Sequence, residues 1–367
     1  MTDRTSRAVV LERFGAPLAI REFPLPAAPP GGMIVASSHG GVCGTDLHLQ
    51  QGHLDVPVPL VLGHEGLGTV HELAEGVDRD THGAPLAVGD RVMWASSIAC
   101  GVCVPCSVHL EPTLCERRRT YGVNRSVTED APLAGSWAEH IELMPGTTVI
   151  RLPDGIEPLT AMSLACAGPT MAHAFERRPV RLGETVLVQG SGPVGLAAAA
   201  MAQLAGARRV IVAGGPAERL GLAADLGIGT DHVDVVGAAD QESALAEVLA
   251  LTGGRGADLV IECTGVPTAV GQGLRLARRG GSYLVVGQYT DSGDALINPH
   301  QIVHRQLDVV GSWAFTGAHL ARYMSLLPEL AARFDLVRLV TTYALEDSAS
   351  ALHDVTNGKA LKAVLVS

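Results

Sequence analysis

Gly190, Gly192 and Gly195 stand as G-x-G-x-x-G between the apolar run TVLVQ and an alanine-rich stretch that continues to Ala205. A strand before and a helix after give this motif the context that its mechanism requires. The three glycines permit a tight turn, close approach of backbone to a pyrophosphate, and close packing of helix on strand. The helix N-terminus then presents free N–H groups to phosphate oxygens. From about Pro158 onward, strand and helix patterns alternate. A helix is expected near Leu159–Phe175, a strand at Thr185–Gln189, a helix at Pro193–Ala205 and a strand at Arg209–Ala213. ERLGLAADLG, the helix-like ESALAEVLALTG, the strand ADLVIECTG, the helix AVGQGLRLA and the strand GSYLVVG continue the series. Such alternation implies right-handed βαβ crossovers and a doubly wound parallel sheet.

The chain before this point has a different texture. From Arg7 to about Ile150, short β-rich runs (RAVVLERF, LAIREF, MIVASSHGGVC, GLGTVHEL, GDRVMWAS, WAEHIEL) are broken by Gly and Pro, which reads as an irregular antiparallel barrel. After about Gly311, a helix at HLARYMSLLPELAARF leads to a last strand, KAVLVS, with no partner in the parallel set, so it is expected to return to the first domain. A chain of 367 residues is long enough for two domains, each with its own core.

Cys100, Cys103, Cys106 and Cys115 form a CxxCxxC run with a fourth thiol eight residues further on. Four converging thiolates with no open position describe a closed tetrahedral zinc site, which shapes a loop and performs no chemistry. A disulfide framework is disfavoured, because Cys43, Cys166 and Cys263 make the total odd and nothing else suggests secretion. The net charge of −11 argues against nucleic-acid and anionic-membrane surfaces, and the one basic run, Arg117 to Arg119, is too short to change that. The longest apolar segment, Val194 to Ala205, is too short to span a bilayer. A cytoplasmic location is expected, where a reducing environment keeps thiols available for metal.

Cys43, His64 and Cys166 lie in the Gly-rich settings GGVCGTDLH, GHEGLG and ACAGPT. Singly, a cysteine of this kind is more often a small buried hydrophobe and a histidine a core polar group. However, GVCGTDLH, GHE, the four-cysteine loop and the later G-x-G-x-x-G occur in the order and spacing of the zinc-dependent medium-chain alcohol dehydrogenases. The sequence resembles that family over nearly its whole length. The resemblance implies an α/β chain with a GroES-like, β-rich catalytic domain in residues 1–167, a Rossmann coenzyme domain in 168–311, and a return segment, 312–367, that completes the first. It implies Cys43, His64 and Cys166 as catalytic zinc ligands, and so two zinc ions per chain. Glu65 matches an exchangeable or outer carboxylate, Asp46 the carboxylate that orients the ligand histidine, and Thr45 and His48 a proton relay. Thr170 matches a residue that touches the nicotinamide. Lys362, near the C-terminus, is expected to reach the pyrophosphate of the coenzyme. The structural-zinc loop departs from the family in its last gap, eight residues where seven is usual; one added loop residue costs little.

The implied activity is reversible oxidation of an alcohol, a secondary one on the weaker likeness of THGAPLAVGDRV and EPTLCERRRTYGV to a bacterial branch of the family. The expected partner is therefore a small alcohol or ketone, with the chain in a homo-oligomer, dimer or tetramer. A zinc-free quinone or enoyl reductase of the same fold would leave the second ligand set without use, and a zinc-stabilised binding protein would leave Thr45, His48 and GHE idle. For the NAD(P) coenzyme, the second strand of the parallel set ends at Gly214, followed by Gly215 and Pro216, where NAD-selective sites place an acid. The absent repulsion and the room left by glycine, with Arg219 one helical turn on as a phosphate partner, lean the expectation towards NADP.

Overall fold

The computed structural model describes residues 4–129, 131–238 and 240–367. The chain divides into two compact units: one takes the chain up to Cys166 with Phe315–Pro328 and Leu336–Ser367, the other Ala167–Ala314 with Glu329–Asp335.

The first unit is built on a long, bent strand, Met33–Val42, with antiparallel partners on both sides. Gly66–Leu73 pairs with it through two register shifts, between Ile34 and Val35 and between Ser37 and His39. Such irregularities bend the strand and increase its twist. On the other side lies the last strand, Lys362–Val366, with Ala363 opposite Val42. Val340–Ala344 runs parallel to that last strand, an exception to the otherwise antiparallel pattern of this unit. A smaller sheet joins Ala19–Pro24, Thr5–Leu11 and Leu60–Val61. Between the sheet and the helix Ser348–Thr356, Val42, Leu60, Leu62, Trp137, Leu352 and Leu365 form one buried cluster.

The second unit holds a six-stranded sheet whose strands, in spatial order, are Asp231–Asp234, Arg209–Gly214, Thr185–Gln189, Ala257–Glu262, Ala277–Val285 and Asp308–Gly311. Every pairing is parallel. Numbered along the chain, the order is 3-2-1-4-5-6, the doubly wound arrangement expected from the alternation. Two of these strands, DHVD and DVVG, escape a reading by apolar pattern because they lie at the sheet's edges and are short and partly exposed. The central strand TVLVQ is buried throughout, and Ala197 to Ala200 of the following helix are fully buried; their small side chains let the helix lie close to the sheet. The single helix expected over Leu159–Phe175 is two, Pro158–Met162 and Ala167–Arg177, separated by a turn that carries Cys166. No helix among the described residues is long and apolar enough to cross a membrane.

Candidate metal and coenzyme sites

Strand-to-helix geometry positions the first donors. Cys43 follows the bent strand and caps the helix Gly44–Gln50. Its N–H donates to Asp46 Oδ2 at 2.9 Å, and the Asp46 N–H donates to the Cys43 carbonyl at 3.0 Å, so the thiol is fixed by its own helix turn. His64 follows Gly63, whose φ of +95° suits glycine. His64 Nδ1 lies 3.2 Å from Asp46 Oδ1, both side chains buried. With the proton on Nδ1 and donated to the carboxylate, Nε2 is left as a lone-pair donor.

Cys43, His64, Glu65 and Cys166 each place one ligand atom within 4.8 Å of the others. His64 Nε2 and Glu65 Oε1 are buried and have no hydrogen-bond partner. Two thiols, an imidazole nitrogen and a carboxylate oxygen converging on one point, with two of those atoms orphaned, fit a zinc ion. The thiol pair is electrostatically asymmetric. The Cys166 thiol, hydrogen-bonded to Cys43, holds Cys43 well below its usual value against the opposing effect of burial, with His64 adding to the fall. The same contact and burial push Cys166 up.

Lys362, expected to reach the pyrophosphate, is not available for it. The side chain is 3% exposed, and its ammonium donates to Glu65 Oε2 and, at 3.2 Å, to the carbonyl of Val42. Burial works against this charge, but Glu65, Cys43 and Cys166 outweigh it and raise the lysine's value. Lys362 thus neutralises an otherwise electron-rich donor set. A Cβ on Gly41 would stand 2.2 Å from Glu65 Oε2, so this glycine makes the room in which the carboxylate lies. Gly41 was not singled out from the sequence, and Lys362 was read as a coenzyme contact and not as part of the donor set; its only sequence sign is a lysine opening an apolar final strand.

The four thiols of Cys100, Cys103, Cys106 and Cys115 also gather within 4.8 Å of one another. The N–H of Cys100 donates to Cys115 Sγ at 3.2 Å, and that of Cys103 to Cys100 Sγ at 3.4 Å. Backbone N–H groups of Val102 and Cys103 draw Cys100 down to about 6, whereas burial and the neighbouring Cys103 thiol push Cys106 up to about 12. The long last gap is taken up by Leu110, at φ +58°, and a 3-10 turn at Pro112–Leu114. Convergence survives the added residue.

In the second unit the three glycines do three different things. Gly190 has φ +113°, and a Cβ on Gly195 would lie 2.0 Å from the Gly190 carbonyl oxygen. Gly192, which caps the helix Pro193–Leu204, would meet nothing within 4 Å. Turn, packing and open approach are therefore separable. Cys263, expected on a buried strand, falls just after Ala257–Glu262, where its N–H donates to the Gln189 carbonyl.

Two expectations at the adenosine end need correcting. Gly214 leaves no room: a Cβ there would be 2.7 Å from Ser191 Oγ, which itself donates to the Gly215 carbonyl at 2.8 Å. The end of the second strand is also not without an acid, because the third strand brings Asp234 beside Gly215, its Oδ1 accepting from Val236 and Gly237 N–H. Arg219 is half-buried, and its Nε is a buried donor without a partner. Thr170 lies on the helix Ala167–Arg177 of this unit, Thr45 and His48 on Gly44–Gln50 of the first. His48 Nδ1 is 3.1 Å from His53 Nδ1; burial and then the charge of His53 lower its value.

A doubly wound sheet with an open glycine loop, and a β-rich unit holding two thiols and an imidazole at one point, define a metal-dependent, dinucleotide-linked dehydrogenase. The chain belongs to the zinc-dependent medium-chain alcohol dehydrogenase family: residues 193–332 match the family described as zinc-binding dehydrogenase, and residues 29–154 match the alcohol dehydrogenase GroES-like domain. It is 34% identical over 351 residues to a 5-exo-hydroxycamphor dehydrogenase of Pseudomonas putida, covering 94% of each chain. The fold matches the crystal structure of an alcohol dehydrogenase from Thermotoga maritima with a TM-score of 0.93, at 35% identity and over 99% of both chains. It also matches a putative zinc-binding dehydrogenase from Sinorhizobium meliloti 1021 bound to NADP, with a TM-score of 0.85 at 28% identity, over 99% of this chain and 100% of that one. The protein is an alcohol dehydrogenase, an oxidoreductase that works on a small molecule.

Proposed function

We propose that the protein oxidises a secondary alcohol reversibly to the ketone, with two zinc ions per chain and a preference for NADP. The observation that carries the catalytic part is the pair of orphaned, buried atoms, His64 Nε2 and Glu65 Oε1, beside the thiols of Cys43 and Cys166. Bound there, zinc supplies a Lewis acid that lowers the pKa of an alcohol oxygen. Asp46 holds the imidazole in the tautomer that keeps Nε2 free, and Lys362 offsets the negative charge of the donors. The Thr45 hydroxyl would take up the proton of the alcohol as it gives up its own towards His48, which passes a proton to water. Steady-state kinetics on a panel of secondary alcohols and ketones, followed by coenzyme absorbance, tests the reading; absence of turnover on every member would refute it.

Metal analysis of active protein is expected to give two zinc ions per chain, one for each donor set. A fully active sample with one would remove either the four-cysteine lobe or the Cys43 set from the assignment. His48→Ala is expected to lower turnover by roughly ten- to a thousandfold and to change the pH–rate profile, because solvent replaces a terminal relay group in part. Unchanged rates across the pH range would dismiss the relay.

The preference for NADP rests on the buried, unpartnered Nε of Arg219. The relative from Sinorhizobium meliloti that is bound to NADP supports it. Asp234 moderates it, so use of both coenzymes is compatible with the site. Arg219→Ala is expected to weaken NADP binding by about tenfold or more, the worth of a charged pair, and to leave NAD nearly unchanged. An equal effect on both coenzymes would take Arg219 out of the argument.

A homo-oligomer, dimer or tetramer, is supported by the edge strand Asp308–Gly311, with Val309 47% exposed, and by Leu296 at 98%. Seven free cysteines, six of them in the two donor sets, support a reducing, cytoplasmic setting.

A further inference from the structure

The coenzyme unit carries an aromatic pair that neither the donor sets nor the glycine loop uses. Tyr289 and Trp313 stack with ring centroids 4.5 Å apart and planes 8° from parallel. Trp313 is 38% exposed, whereas Trp94 and Trp137 are buried. Tyr289 stands a few residues past the strand Ala277–Val285 and Trp313 just past Asp308–Gly311, so both rings lie beyond the carboxyl ends of the fifth and sixth strands. In this strand order ligands bind outside the carboxyl ends. The half of the sheet formed by the first three strands takes the adenosine part of a dinucleotide, and the half formed by the last three takes the nicotinamide part.

The backbone around Trp313 is tied from several directions. Ser312 N–H donates to the Val285 carbonyl at 3.0 Å, and Arg177 Nε donates to the Gly311 carbonyl at 2.7 Å. His173 Nδ1 lies 2.9 Å from the carbonyl oxygen of Ala314, a residue held at φ +54°. A non-glycine residue in that region is uncommon and marks a conformation imposed by its surroundings. His173 lies on the same helix as Thr170, one turn further along, which joins the aromatic pair to the residue assigned to the nicotinamide. Flanking Tyr289, Gln288 Nε2 and Thr290 Oγ1 are buried polar atoms without partners, an amide donor and a hydroxyl that suit a carboxamide.

We propose that Trp313 and Tyr289 form the wall against which the substrate lies. The substrate class is then a bulky, largely apolar, cyclic or bicyclic secondary alcohol, not a polyol or an amino-acid alcohol. This rests on the dehydrogenase reading, since hydride transfer brings the carbinol carbon against the nicotinamide, and whatever faces that ring also faces the substrate. The faces of stacked aromatic rings gain by covering an apolar ring, whereas the several hydroxyls of a polyol laid against those faces would lose water without enough hydrogen-bonding partners in return.

The test compares kcat/KM of the native enzyme for cyclohexanol and borneol with that for 2-propanol and sorbitol, then repeats it with Trp313→Ala. Cyclic alcohols are expected to exceed sorbitol by about a hundredfold, and the substitution to shift the cyclohexanol to 2-propanol ratio by roughly tenfold or more, the worth of a few lost apolar contacts. A preference for sorbitol, or an equal loss on both alcohols in the variant, overturns the proposal. A second measurement separates it from the reaction itself: cyclohexanone added to the enzyme–coenzyme complex is expected to quench tryptophan fluorescence in the native protein and not in Trp313→Phe. Quenching without turnover of any alcohol would keep the wall and refute the dehydrogenase reading. Turnover without quenching would do the reverse.

Discussion

Cys43→Ala is expected to abolish alcohol oxidation while leaving coenzyme binding close to native. The substitution removes one of the two thiol donors at the point where His64 Nε2 and Glu65 Oε1 are orphaned. Glu65 is a poor replacement, because its other oxygen is held by Lys362. Without the Lewis acid the alcohol keeps a pKa far above 7, and the loss should be roughly 10⁵-fold or more, about 7 kcal/mol of barrier. Metal content should fall by one equivalent and not two, since the four-cysteine lobe has its own complete donor set. The glycine loop belongs to a different unit with its own core, so coenzyme affinity measured by fluorescence titration should stay within a few-fold. A variant that retains a tenth of native turnover, or one that loses coenzyme affinity in parallel, would show that Cys43 does not hold the catalytic metal.

Gly192→Val is expected to produce a folded protein that no longer binds its coenzyme. A Cβ at this position meets nothing within 4 Å, so the added side chain starts in open space. The space it fills is the approach to the first turn of the helix Pro193–Leu204, where backbone N–H groups face outward. Displacing a pyrophosphate from that turn should weaken binding by about a hundredfold or more, about 2.8 kcal/mol. Gly195→Val makes the contrast, because its Cβ would sit 2.0 Å from the Gly190 carbonyl oxygen and should unfold the turn itself. Circular dichroism with a coenzyme titration on both variants separates the two roles. Native affinity in Gly192→Val would mean that the loop does not carry the pyrophosphate.

Much of the coenzyme unit was legible because its signals are local. A fully buried strand such as TVLVQ must be continuously apolar, and a helix that packs closely on it must be rich in small residues, so both write their burial into composition. The edge strands Asp231–Asp234 and Asp308–Gly311 were not legible, since a short edge strand buries little and carries no periodic pattern. The break at Ser163–Cys166 was also hidden, because apolar residues on both sides of a turn read as one helix.

Taken by itself, the sequence determined the four-cysteine lobe, the three-glycine turn and the motifs that link Cys43, His64 and Cys166 to one family. Those features depend on short spacing or on fixed local backbone geometry, which the order of residues specifies directly. The tertiary structure alone decided that Lys362 neutralises Glu65 instead of reaching a phosphate, that Ser191 fills the space at Gly214, and that Asp234 arrives from another strand. It alone stacked Tyr289 on Trp313. Each of these joins residues on separate strands or loops, and which side chains meet there follows from sheet order and register, quantities that no single segment of the chain encodes.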